Sequence, residues 1–145
     1  MTNVAVLGDS HVGKTAFMHR VVHGRVPLNI FTAADVEIFH LVGALQSSAY
    51  FHVVPGCSTA LQLARAMDSM DAILVLYRDD IHAARSWLAR AAQVVHSVTH
   101  VPVLVACIGS AGASIEPLLR AYPNAEHAVV QTPIGAHDCV NRIVM

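Results

Sequence analysis

The sequence predicts an α/β fold: three layers, with helices on both faces of a mostly parallel six-stranded sheet that carries one antiparallel strand. Three observations predict it. First, solidly apolar runs such as Val4–Leu7, Ala72–Tyr77 and Val101–Ile108 alternate with segments of helical periodicity. Strands of that kind are buried on both faces, which requires helices above and below a parallel sheet. Second, the strands Asp35–Leu45 and Ala49–Val54 are separated by Gln46-Ser47-Ser48, a link too short for a crossover, so they form an antiparallel hairpin. Third, a glycine-containing turn joins the first strand directly to the first helix. A length of 145 residues suits one domain with one core, so residues 1–145 are read as a single unit.

The first strand, Val4–Leu7, runs into Gly8-Asp9-Ser10-His11-Val12-Gly13-Lys14-Thr15. A helix follows from about Gly13 to His23, with Phe17, Met18, Val21 and Val22 on one face. Strand, glycine-rich turn and helix are the context of a phosphate-binding P-loop. Gly8 and Gly13 let the backbone turn tightly and approach a phosphate closely. The loop amides and the positive end of the helix dipole surround the anion. Lys14 then reaches the β- and γ-phosphates, and the Thr15 hydroxyl ligates Mg²⁺. The alternative is a turn whose glycines serve packing alone. Right-handed crossovers place the ligand at the carboxyl ends of the strands, beside this loop.

The remaining elements follow in order. Gly24 stops the first helix, and Arg25–Ala34, with Pro27 and Asn29, is a long loop. After the hairpin, Pro55-Gly56 breaks the chain. Thr59–Met70 is a helix with Leu61, Ala64 and Met67 on one side. Ala72–Tyr77 is a buried strand. Asp79 or Asp80 caps a longer helix to about His96, whose core face holds Ile81, Ala84, Leu88, Ala91 and Val95. After the strand Val101–Ile108, Gly109–Gly112 is a loop. Ser114–Ala121 is a short helix with Pro117 in its first turn, where proline is tolerated. Ala128–Gln131 is the last strand, and Gly135–Met145 begins a C-terminal helix that stops early.

Composition narrows the function. At 54% hydrophobic and 13% charged residues, the chain folds and is not disordered. A net charge of −1 without a basic cluster argues against a nucleic-acid partner. No apolar run reaches membrane-spanning length and no signal peptide opens the chain. Thr2 excludes myristoylation, and Asn141–Met145 holds no cysteine to prenylate. These features predict an intracellular, cytoplasmic protein without an autonomous membrane anchor. The three cysteines, Cys57, Cys107 and Cys139, lack metal-site spacing and fit buried, reduced thiols. Among ten histidines, His19/His23 and His96/His100 have the i,i+4 spacing of helical metal ligands. Neither pair has an obvious third ligand, and each falls at a helix end, where histidine suits the dipole.

The wording Gly-Asp-Ser-x-Val-Gly-Lys-Thr, close to the N-terminus, resembles the Rab branch of the Ras-like small GTPases. A P-loop kinase shares the glycines and the lysine but less of the rest. Further along, Ile73-Leu74-Val75-Leu76-Tyr77 followed by Arg85-Ser86-Trp87-Leu88 is similar to the Rab strand ending in Val-Tyr and the helix with a tryptophan after it. The resemblance implies a small-GTPase-like fold, GTP or GDP with Mg²⁺ as ligands, and the hairpin at this point in the chain. It makes Arg25–Ala34 the first switch, where Thr32 completes the Mg²⁺ shell with Thr15. It also implies protein partners that dock on the switch-like surface.

Other family motifs are missing. The family has Asp-x-x-Gly after the third strand, then a glutamine that orients water. Here Gly56 remains, but Val53 stands for the aspartate and Cys57 for the glutamine. Neither replaces the chemistry: valine binds no water and a neutral thiol is a poor hydrogen-bond partner. Guanine is read in the family by Asn-Lys-x-Asp; here the place holds Cys107-Ile108-Gly109-Ser110. Thr132-Pro133-Ile134 matches the last base-contacting loop poorly. Three functions follow, in order of preference. The first is a degenerate G domain, an interaction module with weak or no GTP binding and little hydrolysis. The second is a divergent GTP-binding switch with slow turnover. The third is a small P-loop phosphotransferase, disfavoured because no arginine-rich lid stands out.

Overall fold

In a computed structural model of the protein, the alternation of apolar strands and helices becomes a single layered sheet. The structure describes residues 2–10, 12–23, 37–42, 48–56, 58–68, 70–78, 80–94, 101–108 and 116–129. Among these the elements are β1 (Thr2–Leu7), α1 (Lys14–His23), β2 (Glu37–Val42), β3 (Ser48–Val53) and α2 (Ala60–Met67), then β4 (Ala72–Tyr77), α3 (Ile81–Val94), β5 (Val103–Cys107), α4 (Glu116–Ala121) and β6 (Ala125–Val129). The six strands lie in the order β2-β3-β1-β4-β5-β6. β2 and β3 pair antiparallel; β3–β1, β1–β4, β4–β5 and β5–β6 pair parallel. This is the mainly parallel sheet with one antiparallel strand that the apolar runs and the short hairpin link predict.

Strand alternation sorts the core into two layers. Val4, Val6, Phe51, Val53, Leu74, Leu76 and Leu104 face one way and meet Phe17, Met18 and Val21 of α1. Ala5, Leu7, Ile73, Val75, Val103 and Val105 face the other way, against Leu63 and Met67 of α2, Ala84, Trp87 and Leu88 of α3, and Leu118 of α4. Both faces of β1, β4 and β5 are therefore covered, which is why these strands contain almost no polar residue.

Two details differ from the sequence expectation. Leu61 of α2 is 61% exposed, and the buried face belongs to Leu63 and Met67 instead. A capping box sets the start of this helix: Thr59 accepts from the Gln62 amide, and the Gln62 side chain accepts from the Thr59 amide. β6 begins at Ala125, earlier than expected, because its register with β5 pairs Val103 with Ala125. As the outer strand it tolerates Glu126 and His127, which hide its apolar pattern. Ala72–Tyr77 recurs with its expected bounds, and the other expected elements within the described residues recur with shifted ends. Asp80 caps α3, its carboxylate accepting from the His82 amide at 2.9 Å, while Asp79 lies outside the described residues. Thr32, His11, Cys57, Cys139, His96, His100, Ser110 and the expected C-terminal helix also lie outside them.

The hairpin histidines are cross-strand residues. His40 stacks on its register partner Tyr50, with ring centroids 4.6 Å apart. His52 bonds Asn3 Oδ1 through Nε2 at 3.1 Å. At the far side of the sheet, His127 Nε2 bonds the Tyr77 hydroxyl at 2.7 Å. Burial holds the pKa of His52 and of His127 below the ordinary 6.5. Their unfolded counterparts take up protons first as pH falls, so stability is present above pH 6.5 and declines as pH drops through the lower folded values. Thermal unfolding should show a Tm that falls between about pH 7.5 and about pH 5.5. The fall should be smaller in the double variant His52→Gln, His127→Gln; an unchanged fall would place its origin elsewhere.

Candidate functional site

The site lies where β1 ends and α1 begins. β1 is fixed between β3 and β4, so the loop that leaves it emerges at the centre of the sheet's carboxyl edge. A turn forms within the loop, with the Val12 amide donating to the Asp9 carbonyl at 3.2 Å. Gly13 takes φ +100°, a conformation that a side chain disfavours, and its carbonyl accepts from the Phe17 amide as the first bond of the helix. Gly8 is needed for space: a Cβ there would lie 2.7 Å from the Leu76 carbonyl oxygen of the adjacent strand.

Lys14 is the most buried charge here, at 7% exposure. Its side chain folds back along the loop, and Nζ donates to the Gly8 carbonyl at 2.6 Å and the Asp9 carbonyl at 2.9 Å. Carbonyl dipoles hold the ammonium in place and partly offset its desolvation. One residue on, the Thr15 hydroxyl donates to Glu37 Oε1 at 2.8 Å. Gly8, Asp9, Ser10, Val12 and Gly13 thus form the loop, and Lys14 and Thr15 open α1, while His11 lies outside the described residues.

Three contacts that sequence reasoning missed hold this loop from outside. Trp87 Nε1 of α3 donates to Asp9 Oδ1 at 2.8 Å. Arg78, just past β4, donates from Nε to the Val12 carbonyl at 2.9 Å. Arg78 is itself tied down, its carbonyl accepting from Cys107 Sγ at 3.0 Å. Gly56 packs so closely that a Cβ would strike the Ser10 amide nitrogen. One signal was available for Trp87: it follows Ala84 by three positions on the apolar face of α3, so it had to be buried near the sheet.

The positions at which the resemblance would put polar groups are largely apolar. Val53 is 2% exposed and belongs to the core layer under α1. Cys107, at the end of β5, is buried and free. Next to it Tyr77 is pushed up to about 12 by burial and then by Cys107, so the phenol keeps its proton at neutral pH and is no base. Among the described residues no three His, Cys, Asp or Glu residues converge as a metal cluster. A Mg²⁺ ion on nucleotide phosphates needs less, one or two carboxylates beside the phosphates. Thr15 and Glu37 offer hard oxygens of that kind at the loop. Among the described residues the large apolar side chains of Ile38 and Leu61 face solvent, at 60% and 61% exposure. Among the described residues no helix is long and apolar enough to cross a membrane. Compared with known proteins, the chain matches no protein-family model and no curated protein.

Proposed function

We propose that the protein is a divergent, small-GTPase-like domain that grips nucleotide phosphates weakly, hydrolyses them little and works as an interaction module. The observation that carries the phosphate grip is Lys14: a buried ammonium drawn over a glycine turn at a helix start. Such a turn presents amides and a positive dipole end, which suit a phosphate group. Gly8–Thr15 would hold the phosphates, and Thr15 would ligate Mg²⁺, which screens their charge when bound.

Weak turnover follows from the residues that stand in the sequence where the resemblance expects catalytic groups. Val53 offers the Mg²⁺ shell no oxygen, and Cys57 has no amide with which to orient water. Ile38 and Leu61 keep large apolar side chains in water and are the residues to test first for contact with a protein partner. With Cys107-Ile108-Gly109-Ser110 in place of a guanine-reading motif, binding depends on the phosphates and hardly on the base.

Isothermal titration with GTP, ATP and inorganic pyrophosphate, each with Mg²⁺, tests this. The three should bind with similar, weak affinity, and Lys14→Ala should lower all of them about tenfold or more, equivalent to at least about 1.4 kcal/mol. Little thermal stabilisation is expected at micromolar GTP, because a shift near 2.7 kcal/mol needs about a hundredfold excess over Kd. A GTP preference of about a hundredfold, roughly 2.8 kcal/mol, would instead favour a working guanine-nucleotide switch. Absence of binding by all three would remove the phosphate grip and leave only the interaction module.

A further inference from the structure

We infer that Glu37 supplies the carboxylate of the Mg²⁺ shell that Val53 does not provide. This rests on the phosphate-binding function proposed above. In the β2–β3 register, Glu37 pairs directly with Val53. Residues directly opposite in an antiparallel pair project on the same face of the sheet. Val53 belongs to the layer that meets α1, so Glu37 stands on the side where α1 begins. Its carboxylate reaches the first turn of that helix, accepting from Thr15 Oγ1 at 2.8 Å. The strand β2 therefore brings an acid to the metal-binding hydroxyl from the position facing the lost aspartate.

The direction of that bond matters. A threonine hydroxyl has one proton and two lone pairs. Giving the proton to Glu37 leaves the lone pairs for a cation, and the negative charge alongside raises their basicity. Loss of a partner that orients a metal ligand in this way costs about 10- to 100-fold in metal affinity. The oxygen-only donor set suits Mg²⁺. The competing account is structural: the bond ties β2 to α1 and its charge is incidental.

Glu37→Gln separates the two, because glutamine still accepts from Thr15 but carries no charge. The probe is inorganic pyrophosphate, titrated calorimetrically into the full chain with Mg²⁺ and again with EDTA, alongside Mn²⁺ binding followed by electron paramagnetic resonance. The gain in pyrophosphate affinity from Mg²⁺ should fall about 10- to 100-fold in Glu37→Gln, with Mn²⁺ affinity falling in parallel. Binding in EDTA should be unchanged or tighter. Glu37→Asp, which keeps the charge on a shorter arm, should retain more of the metal gain than Glu37→Gln. An undiminished Mg²⁺ gain, an equal loss with and without metal, or the reverse order of the two variants would each overturn the assignment. Lys14→Ala lowers binding in both solutions, so its effect reports on the phosphate grip separately. Wild-type protein that binds no pyrophosphate in either solution would overturn both proposals.

Discussion

Trp87→Ala is expected to destabilise the fold by about 3–5 kcal/mol, the range for emptying a buried aromatic site. A typical domain has only about 5–15 kcal/mol in total, so much of this protein's stability would go. Trp87 is 2% exposed and packs among Leu7, Leu63, Leu88 and their neighbours between α3 and the sheet. Its ring also carries Arg90, whose guanidinium lies 4.2 Å from the centroid and donates to the Ser58 carbonyl at 2.8 Å. The indole thus joins α3, the approach to α2, and the loop after β1. Trp87→Phe removes the donor to Asp9 while keeping most of the apolar volume. Asp9 is exposed, so water can replace the lost bond, and the hydrogen-bond share of the loss should be about 1 kcal/mol or less. Urea unfolding of both variants checks this. A loss below about 1 kcal/mol for Trp87→Ala would contradict the buried packing described for α3.

The parts of the fold legible in the sequence are those where local pattern and burial coincide. Ala72–Tyr77 is buried at every position, and its expected and observed bounds agree. The glycine turn after β1 is equally local: Gly8, Gly13, Lys14 and Thr15 stand at fixed spacing between the end of β1 and the start of α1. α2 misled because it carries leucines at both 61 and 63, on different sides of a helix only 8 residues long. A pattern that short does not select between them; packing against α3 does. β6 misled because an outer strand is only partly buried and its start comes from pairing with β5.

The contacts that shape the loop were beyond local reasoning for a different reason. Asp9 and Trp87 are 78 residues apart, Val12 and Arg78 66 apart, Thr15 and Glu37 22 apart. Each pair meets because the sheet sets the end of β1 beside the end of β4, from which α3 follows, and the start of antiparallel β2 one strand away, and that order is a property of the whole chain. Glu37 did leave a trace, as an acid opening the otherwise apolar-rich strand Glu-Ile-Phe-His-Leu-Val. Without the register that sets it opposite Val53, it reads as a solvated strand end.

Gly56→Ala should damage the proposed phosphate loop more than the fold. Gly56 packs directly against the loop after β1, so its lack of a side chain serves that loop sterically. An added Cβ would meet the Ser10 amide nitrogen and lie 2.9 Å from the Asp9 carbonyl carbon. Those are backbone atoms, so no side-chain rotation relieves the clash; the chain at Gly56 or at Asp9-Ser10 must move. The connection after β3 is anchored, with the Val54 amide donating to the Val6 carbonyl at 3.0 Å and Ser58 Oγ donating to the Pro55 carbonyl at 2.7 Å. The loop is held through side chains from Trp87 and Arg78, which yield more easily, so the displacement falls on Asp9-Ser10. Overpacking of this kind destabilises by about 1–3 kcal/mol. Moving the amides that line a phosphate site should lower pyrophosphate affinity at least about tenfold, equivalent to about 1.4 kcal/mol. Calorimetric titration of Gly56→Ala, together with its urea unfolding curve, tests both parts. Wild-type pyrophosphate affinity in the variant would show that the loop tolerates the shift and that Gly56 is not part of the phosphate grip.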